Sequence, residues 1–475
     1  MKKSFLDLKE TIVVLVAFSL AFLSVESSSL AGQSPTDSKE LRVGLASVDV
    51  TPDRGVPLAG YGGGDRRLSF PDVLNRFPFA TFFTPSEGVL DPIRAKTMVL
   101  KRGDQKLLFL SMDAVGVTAD VRTDLIHRIK KKFGFGENEV FISATHTHSG
   151  PGAMSRSVFW SLIATDIFQE KIYNIFLDKL VLCVEKAVEA LEPATLVAYN
   201  FNTVGIQKNR RGREGHFDPT TNLLFARSKS GKWLGGLVNV AVHGTMLGAS
   251  NRRFSADLPG GMERAIQKQL AGINREAKMP TILFVNGAEG DVAPADRGVS
   301  NILKLSESFA DQVIAALPTA WKLEPVWNVT SKKVNLSQAA FNVRGCIKEE
   351  TIRSLIFKDF RLWIGFLLPT ETRVWNVSLG DLTLMTWPGE PTSSVGLALK
   401  DAATEAGSRH SWVMGLTNDY LAYFTTEDEY HAATYEARSS LYGPGGAKKI
   451  LRAHKKLLDY QARPSIVISQ PAYLK

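Results

Sequence analysis

Two histidines stand two residues apart where an apolar run ends. Residues 140–144 read as a buried strand, and they lead into Ala144-Thr-His146-Thr-His148-Ser-Gly-Pro-Gly152. In extended backbone, residues i and i+2 point the same way, so His146 and His148 share a face. The Gly-Pro-Gly turn then sets both imidazoles at a strand mouth, where α/β enzymes keep their sites. A lone buried histidine is usually structural, whereas two on one face at a strand end point to metal binding or acid–base work. A third histidine arrives in the same way: Leu237-Val-Asn-Val-Ala-Val242 is a buried-strand run closed by His243-Gly-Thr245. Of the other histidines, His127, His410, His431 and His454 lie on helical or polar stretches and read as solvated. His216, in a polar loop, stays undecided.

Hydrolytic metal sites commonly add a carboxylate to two histidines and leave a position open for water. Glu390 is the best candidate. It follows an apolar strand in Trp387-Pro-Gly-Glu390-Pro391, where a strand gives way to a helix. A favourable charge at the start of that helix explains it equally well.

The elements that must position these residues alternate along the chain. Strands are predicted at 43–50, 97–101, 106–112, 140–144, 195–199, 237–242, 281–285, 326–335 and 373–386. Helices are predicted at 121–133, 168–191, 260–270, 301–316, 391–406 and 447–461. Such alternation implies an α/β fold with mixed β-sheets between helical layers, and the length fits two or three domains or one large α/β domain with insertions. Two segments break the rhythm: 70–88 is rich in Phe and Pro, and 355–368 carries Phe357, Phe360, Trp363 and Phe366. Each reads as core filler or as an exposed apolar rim for a lipid or a membrane surface.

Composition narrows the partners. The chain has 475 residues and a net charge of +9, with its basic residues spread. Neither a basic stripe nor a known module argues for nucleic acid. Gly60-Tyr-Gly-Gly-Gly64 lacks the Lys-Ser/Thr of a nucleotide loop, so no nucleotide cofactor is expected. Lys2 and Lys3 precede an apolar stretch at 11–25, and small residues follow. That order predicts a signal peptide at 1–31, cleaved after Ala31, a polar lead-in at 32–40, and export to the periplasm or medium. An uncleaved anchor is the alternative. The two cysteines, Cys183 and Cys346, form no CxxC; Cys183 reads as a small core residue, and a disulfide between them is the other reading.

The segment His146-Thr-His-Ser-Gly-Pro-Gly152 resembles the zinc loop of the neutral/alkaline ceramidases. In similar order follow Asn209-Arg210, His243-Gly-Thr245, Pro388-Gly-Glu390, and the longest match, Gly415-Leu-Thr-Asn-Asp-Tyr-Leu-Ala-Tyr423 to Tyr430. Tyr435-Glu-Ala437 and Leu441-Tyr-Gly-Pro444 complete it. Five ordered motifs between about 43 and 457 are far more specific than one. The resemblance implies Zn2+ held by His146, His243, Glu390 and Tyr423, with acid–base or oxyanion roles for His148, Arg210 and Tyr435. It implies a lipid amide substrate, N-acyl amides of the ceramide type, cleaved to a fatty acid and a sphingoid base. The chain departs from the family at Ala293, where Ser is common, and at Asn209-Arg-Arg-Gly212, where Asn-Arg-Ser-Pro is usual. It also stops soon after the last motif, so the resemblance implies a single large catalytic domain over 41–475, the N-terminal domain of the family without the C-terminal β-sandwich of two-domain members. Another lipid amide or ester, or a lipid-binding surface protein with a residual site, are the rival readings.

Overall fold

The computed structural model describes residues 40–212, 216–347, 350–357 and 359–462. The predicted signal peptide and most of the lead-in lie outside them. The described residues from Leu41 onward cluster as one compact unit. None of the described helices is long and apolar enough to cross a membrane.

The longer strands are β1 (Leu41–Asp49), β2 (Arg94–Arg102), β3 (Gln105–Met112), β4 (Val140–Ala144), β5 (Glu192–Asn202), β6 (Thr220–Ser228), β7 (Trp233–Val240), β8 (Thr281–Asn286), β9 (Trp321–Leu323), β10 (Trp327–Asn335), β11 (Glu371–Leu379), β12 (Leu382–Thr386) and β13 (His410–Met414). A nine-stranded sheet runs β8-β7-β6-β5-β1-β2-β3-β4, with β9 also on β5; a four-stranded sheet runs β10-β11-β12-β13. The run predicted as one strand at 373–386 is a hairpin, folded at Gly380 (φ 58°), which takes the left-handed conformation a tight turn needs.

Period-two alternation splits each strand between two cores. Leu107 and Phe109 on β3, Leu283 and Val285 on β8, and Trp375, Val377 and Leu384 of the small sheet pack face to face. The opposite faces take helices. Helices α1 (Ala119–Phe133) and α2 (Glu170–Glu189) cover one half of the large sheet, and α3 (Asp257–Asn274) and α4 (Val299–Ala316) cover the other. Helices α5 (Ser393–Glu405) and α6 (Gly446–Ala462) cover the small sheet. Mixed sheets between helical layers are thus the observed architecture.

Among the longer described strands three pairs are parallel: β3 with β4, β7 with β8, and β12 with β13. Their C-terminal ends meet. Ser111 Oγ near the end of β3 donates to the Phe284 carbonyl on β8 at 2.5 Å, and the Gly415 N–H just beyond β13 donates to the Asn286 carbonyl at 2.9 Å. Residues that follow these six strands therefore face one another.

Candidate metal centre and the cavity beside it

His146 follows β4, His243 follows β7, and Glu390 follows β12. Their ligand atoms lie within 4.8 Å of one another, and all three residues are buried. His146 does not reach this point on an extended strand. Its φ is 63°, a left-handed conformation costly for a side-chain-bearing residue, and His148 arrives after that bend. The two imidazoles still meet, Nε2 to Nε2, at 3.3 Å. Gly244 makes the approach of the two histidine loops feasible. A Cβ there would stand 2.8 Å from the His146 carbonyl oxygen, and the Gly244 carbonyl accepts the His148 N–H at 3.1 Å.

The orientation of each imidazole is fixed from behind. His146 Nδ1–H donates to the Val115 carbonyl at 2.6 Å, and His243 Nδ1–H donates to the Val292 carbonyl at 3.0 Å. A carbonyl only accepts, so each Nδ1 carries the proton and each Nε2 is left with its lone pair. Both Nε2 atoms face Glu390 Oε2, at 3.3 Å and 3.2 Å. Tyr423 OH stands 3.3 Å from His243 Nε2. Glu390 Oε1 is occupied by the Tyr420 hydroxyl at 2.7 Å, but Oε2 receives no hydrogen bond. Burial, and then the Arg210 charge, depress His243 to about 4, so it is neutral at ordinary pH. Acceptors converge on one buried point, and a proton can serve only one pair of them at a time. The set of two imidazoles and a carboxylate, each anchored by an outer partner, fits a divalent cation.

Around this point lie the remaining predicted residues. His148 is half-buried, with its Nδ1 unpartnered. Gly60 leaves space for it: a Cβ there would stand 2.7 Å from His148 Nδ1. Burial, reinforced by His146 and His243, holds His148 well below the ordinary imidazole value, so it is available to accept a proton. Arg210 reaches His243 Nε2 (3.1 Å) and Tyr423 OH (3.2 Å), and is braced by Glu436 at 2.9 Å and the Gly290 carbonyl at 2.7 Å. Tyr435 lies with its ring 4.9 Å from the Arg210 guanidinium and is 55% exposed. Burial and the nearby Glu390 push the Tyr423 hydroxyl well above the ordinary phenol range.

A cavity of about 990 Å³ opens beside the cluster. His148, His243, Glu390, Tyr423, Arg210 and Tyr435 line it, and Met112, Val115, Met154, Phe159, Trp160 and Phe176 form its apolar wall. The seven residues singled out in the sequence thus come together.

Residues 74–307 and 323–451 match the family described as neutral/alkaline non-lysosomal ceramidase, N-terminal. The chain belongs to the neutral/alkaline non-lysosomal ceramidase family. All seven candidate residues lie within the matched segments. The chain is 23% identical to the neutral ceramidase of Pseudomonas aeruginosa over 90% of its own length and 73% of that protein. It is also 23% identical to the neutral ceramidase of Mycobacterium tuberculosis, over 85% and 74%. The fold superposes on the crystal structure of the Pseudomonas aeruginosa neutral ceramidase with a TM-score of 0.76, at 21% identity, covering 90% of this chain and 75% of that one. A ceramidase complexed with C2 superposes with a TM-score of 0.73, at 21% identity, over 89% and 75%.

Some site residues escaped the sequence reading. Tyr420 sits inside the longest matched motif yet has no spacing signal of its own. Glu436 pairs with both Arg210 and Arg211. Asn286 ties the two histidine loops together: its amide oxygen accepts the Val242 N–H at 3.0 Å, and its Nδ2 donates to the Val242 carbonyl at 3.0 Å. Asn286 Nδ2 also reaches the Thr145 carbonyl at 3.4 Å. Two readings need correction. His454 is not solvated but buried on α6, packed over Trp387 and hydrogen-bonded to Asn376 and the Thr386 carbonyl. Leu355, Phe357, Leu362 and Phe366 are exposed, not core filler. Both cysteines are free, and Cys183 is buried as a small core residue should be.

Proposed function

We propose that this chain is a zinc-dependent amidohydrolase that cleaves the N-acyl amide bond of ceramide-like lipids to a fatty acid and a sphingoid base. The observation that carries this reading is the convergence of His146 Nε2, His243 Nε2 and Glu390 Oε2 beside a large, partly apolar cavity. His146, His243, Glu390 and Tyr423 would hold the ion. When bound, zinc lowers the pKa of its water from about 15.7 toward 7 and polarises a carbonyl.

His148 is neutral, and its Nε2 lies 3.3 Å from that of His146; it takes the proton of the attacking water and returns it to the leaving amine. The Arg210 guanidinium, fixed by Glu436, donates toward the developing oxyanion, and the Tyr435 hydroxyl assists from the cavity side. The apolar wall excludes water and holds an acyl tail. Relatives named neutral ceramidases and the apolar wall together favour a lipid amide. The basic, apolar and small residues at 1–31 support export of the mature enzyme.

Metal analysis of the purified protein, paired with hydrolysis of ceramides and other acyl amides and esters, tests the reading. A full equivalent of zinc and release of fatty acid from ceramide are expected. Zinc with ester cleavage alone would redirect the chemistry, and lipid binding without turnover would make this a binding protein with a residual site.

A further inference from the structure

Arginines line the cavity as well as apolar residues. Four arginines line the cavity (Arg210, Arg211, Arg297 and Arg438) against two carboxylates, Glu390 and Glu436. Glu390 belongs to the metal cluster, and Glu436 is shared between Arg210 and Arg211. Arg297 is exposed, and its side chain makes no ion pair or hydrogen bond among the described residues. Arg438 likewise has only the face of Tyr435, 5.0 Å away, whose ring also lies against Arg210. The Arg211 side chain is 8% exposed and is neutralised within the chain, with Glu436, Glu429 and Asp291 around it, and its one unpartnered nitrogen, NH2, is buried. Behind Tyr61, another cavity residue, Arg66 is buried with its guanidinium hydrogen-bonded only to the carbonyls of Ala59, His148, Ala249 and Asn251. Its NH2 too is unpartnered.

On open surface a lone arginine is solvated and carries little meaning. Here two arginines without a carboxylate partner among the described residues, Arg297 and Arg438, line the cavity that also holds the metal cluster. A guanidinium presents its donors in a planar fork, and planar oxyanions are the ligands that accept them in pairs.

We propose, resting on the amide-hydrolase reading, that the preferred substrate is an N-acyl amine whose amine half carries an oxyanion close to the amide nitrogen. The acyl tail lies along Phe159, Trp160 and Phe176, and the carboxylate, sulfonate or phosphate head meets Arg297 and Arg438. Water adds across the amide C–N bond, the acyl carbon leaves as carboxylate, and the nitrogen leaves as an amine carrying the proton. The head group takes no part in the bond changes.

The test compares the zinc-loaded full chain on N-dodecanoylglycine, N-dodecanoyltaurine, the near-isosteric neutral N-dodecanoylethanolamine and a neutral ceramide. The anionic amides should show kcat/KM roughly tenfold or more above the neutral pair, the order expected for one charge-assisted contact. That preference should shrink as ionic strength rises. The glycine and taurine arms separate a carboxylate head from a sulfonate head. In Arg297→Gln/Arg438→Gln the anionic-to-neutral ratio should collapse toward one, a readout that a general loss of folding or catalysis would not move. Turnover of neutral amides at least as fast as anionic ones, or a ratio unchanged in the double variant, overturns the proposal while leaving the amide-hydrolase reading intact. Failure on every amide overturns both.

Discussion

Lys96 and His146 are both buried polar groups carried by neighbouring parts of the large sheet, yet their surroundings are opposite. Lys96 Nζ donates to both oxygens of Asp113 at 2.8 Å and to Glu263 Oε2 at 2.7 Å, and all three side chains are buried. Each Lys96 donor has an acceptor within the chain, and the two carboxylates also accept the N–H groups of Arg94 and Phe284. Two residues beyond Asp113, the Val115 carbonyl aims His146 Nε2 at Glu390 Oε2, which receives no hydrogen bond, and lone pair faces lone pair. A buried charge is tolerated when it is paired and hydrogen-bonded. The first cluster meets that condition alone and belongs to the scaffold. The second meets it only with something from outside the chain. Burial and charge do not mark a site by themselves; an imbalance of donors and acceptors does.

That contrast can be broken in a graded way. The largest effect is expected for His146→Ala and His243→Ala, which should each abolish zinc retention after dialysis, read by emission spectrometry. Full zinc in both variants would show that the ligand set is wrong. Next, His148→Gln should keep zinc while kcat falls by roughly 10²–10⁴, the range of lost acid–base help. Zinc lost as completely as in His146→Ala would make His148 a ligand and leave the proton to Tyr435. Lys96→Met is the mirror experiment. Leaving Asp113 and Glu263 unpaired should cost about 3–5 kcal/mol in urea unfolding, with zinc content of the folded fraction unchanged. A drop in zinc with no change in stability would reverse the roles assigned to the two clusters. Tyr435→Phe, at a half-exposed position, should lower kcat by roughly 10–10² without touching zinc. The smallest effect is expected at the exposed aromatic segment. Trp363→Ser/Phe366→Ser should raise KM a few-fold for long acyl chains and less for short ones, and equal changes would remove any role in holding tails.

His146, His243 and Glu390 were legible as candidates because each follows an apolar run, and parallel strands bring such ends together. The helices and sheet strands were legible for the same reason of periodicity. Tyr423, Arg210 and Tyr435 were not legible from spacing; they came only from ordered motifs, because a loop residue has no period to betray its direction. His454 shows a signal present but misread. Ile450, Ala453, His454, Leu457 and Leu458 keep helical i, i+3, i+4, i+7, i+8 spacing, so the histidine sits in the buried stripe of α6. The segment at 355–368 shows the converse. Phe357, Trp363 and Phe366 have core composition, but exposure depends on whether another element covers them, which composition does not encode.

The four proposed ligands do not come from one sheet. His146 and His243 close strands of the large sheet, whereas Glu390 and Tyr423 follow strands of the small one and pair with each other as a short parallel bridge. An ion bound there is a clasp across the interface between the sheets, joining points far apart along the chain. Its removal would let the two sheets breathe against each other while each stays hydrogen-bonded within itself. Amide hydrogen exchange should then quicken first at β12 and β13, ahead of the interior strands of the large sheet, so that chelation reads as a loosened hinge before it reads as unfolding.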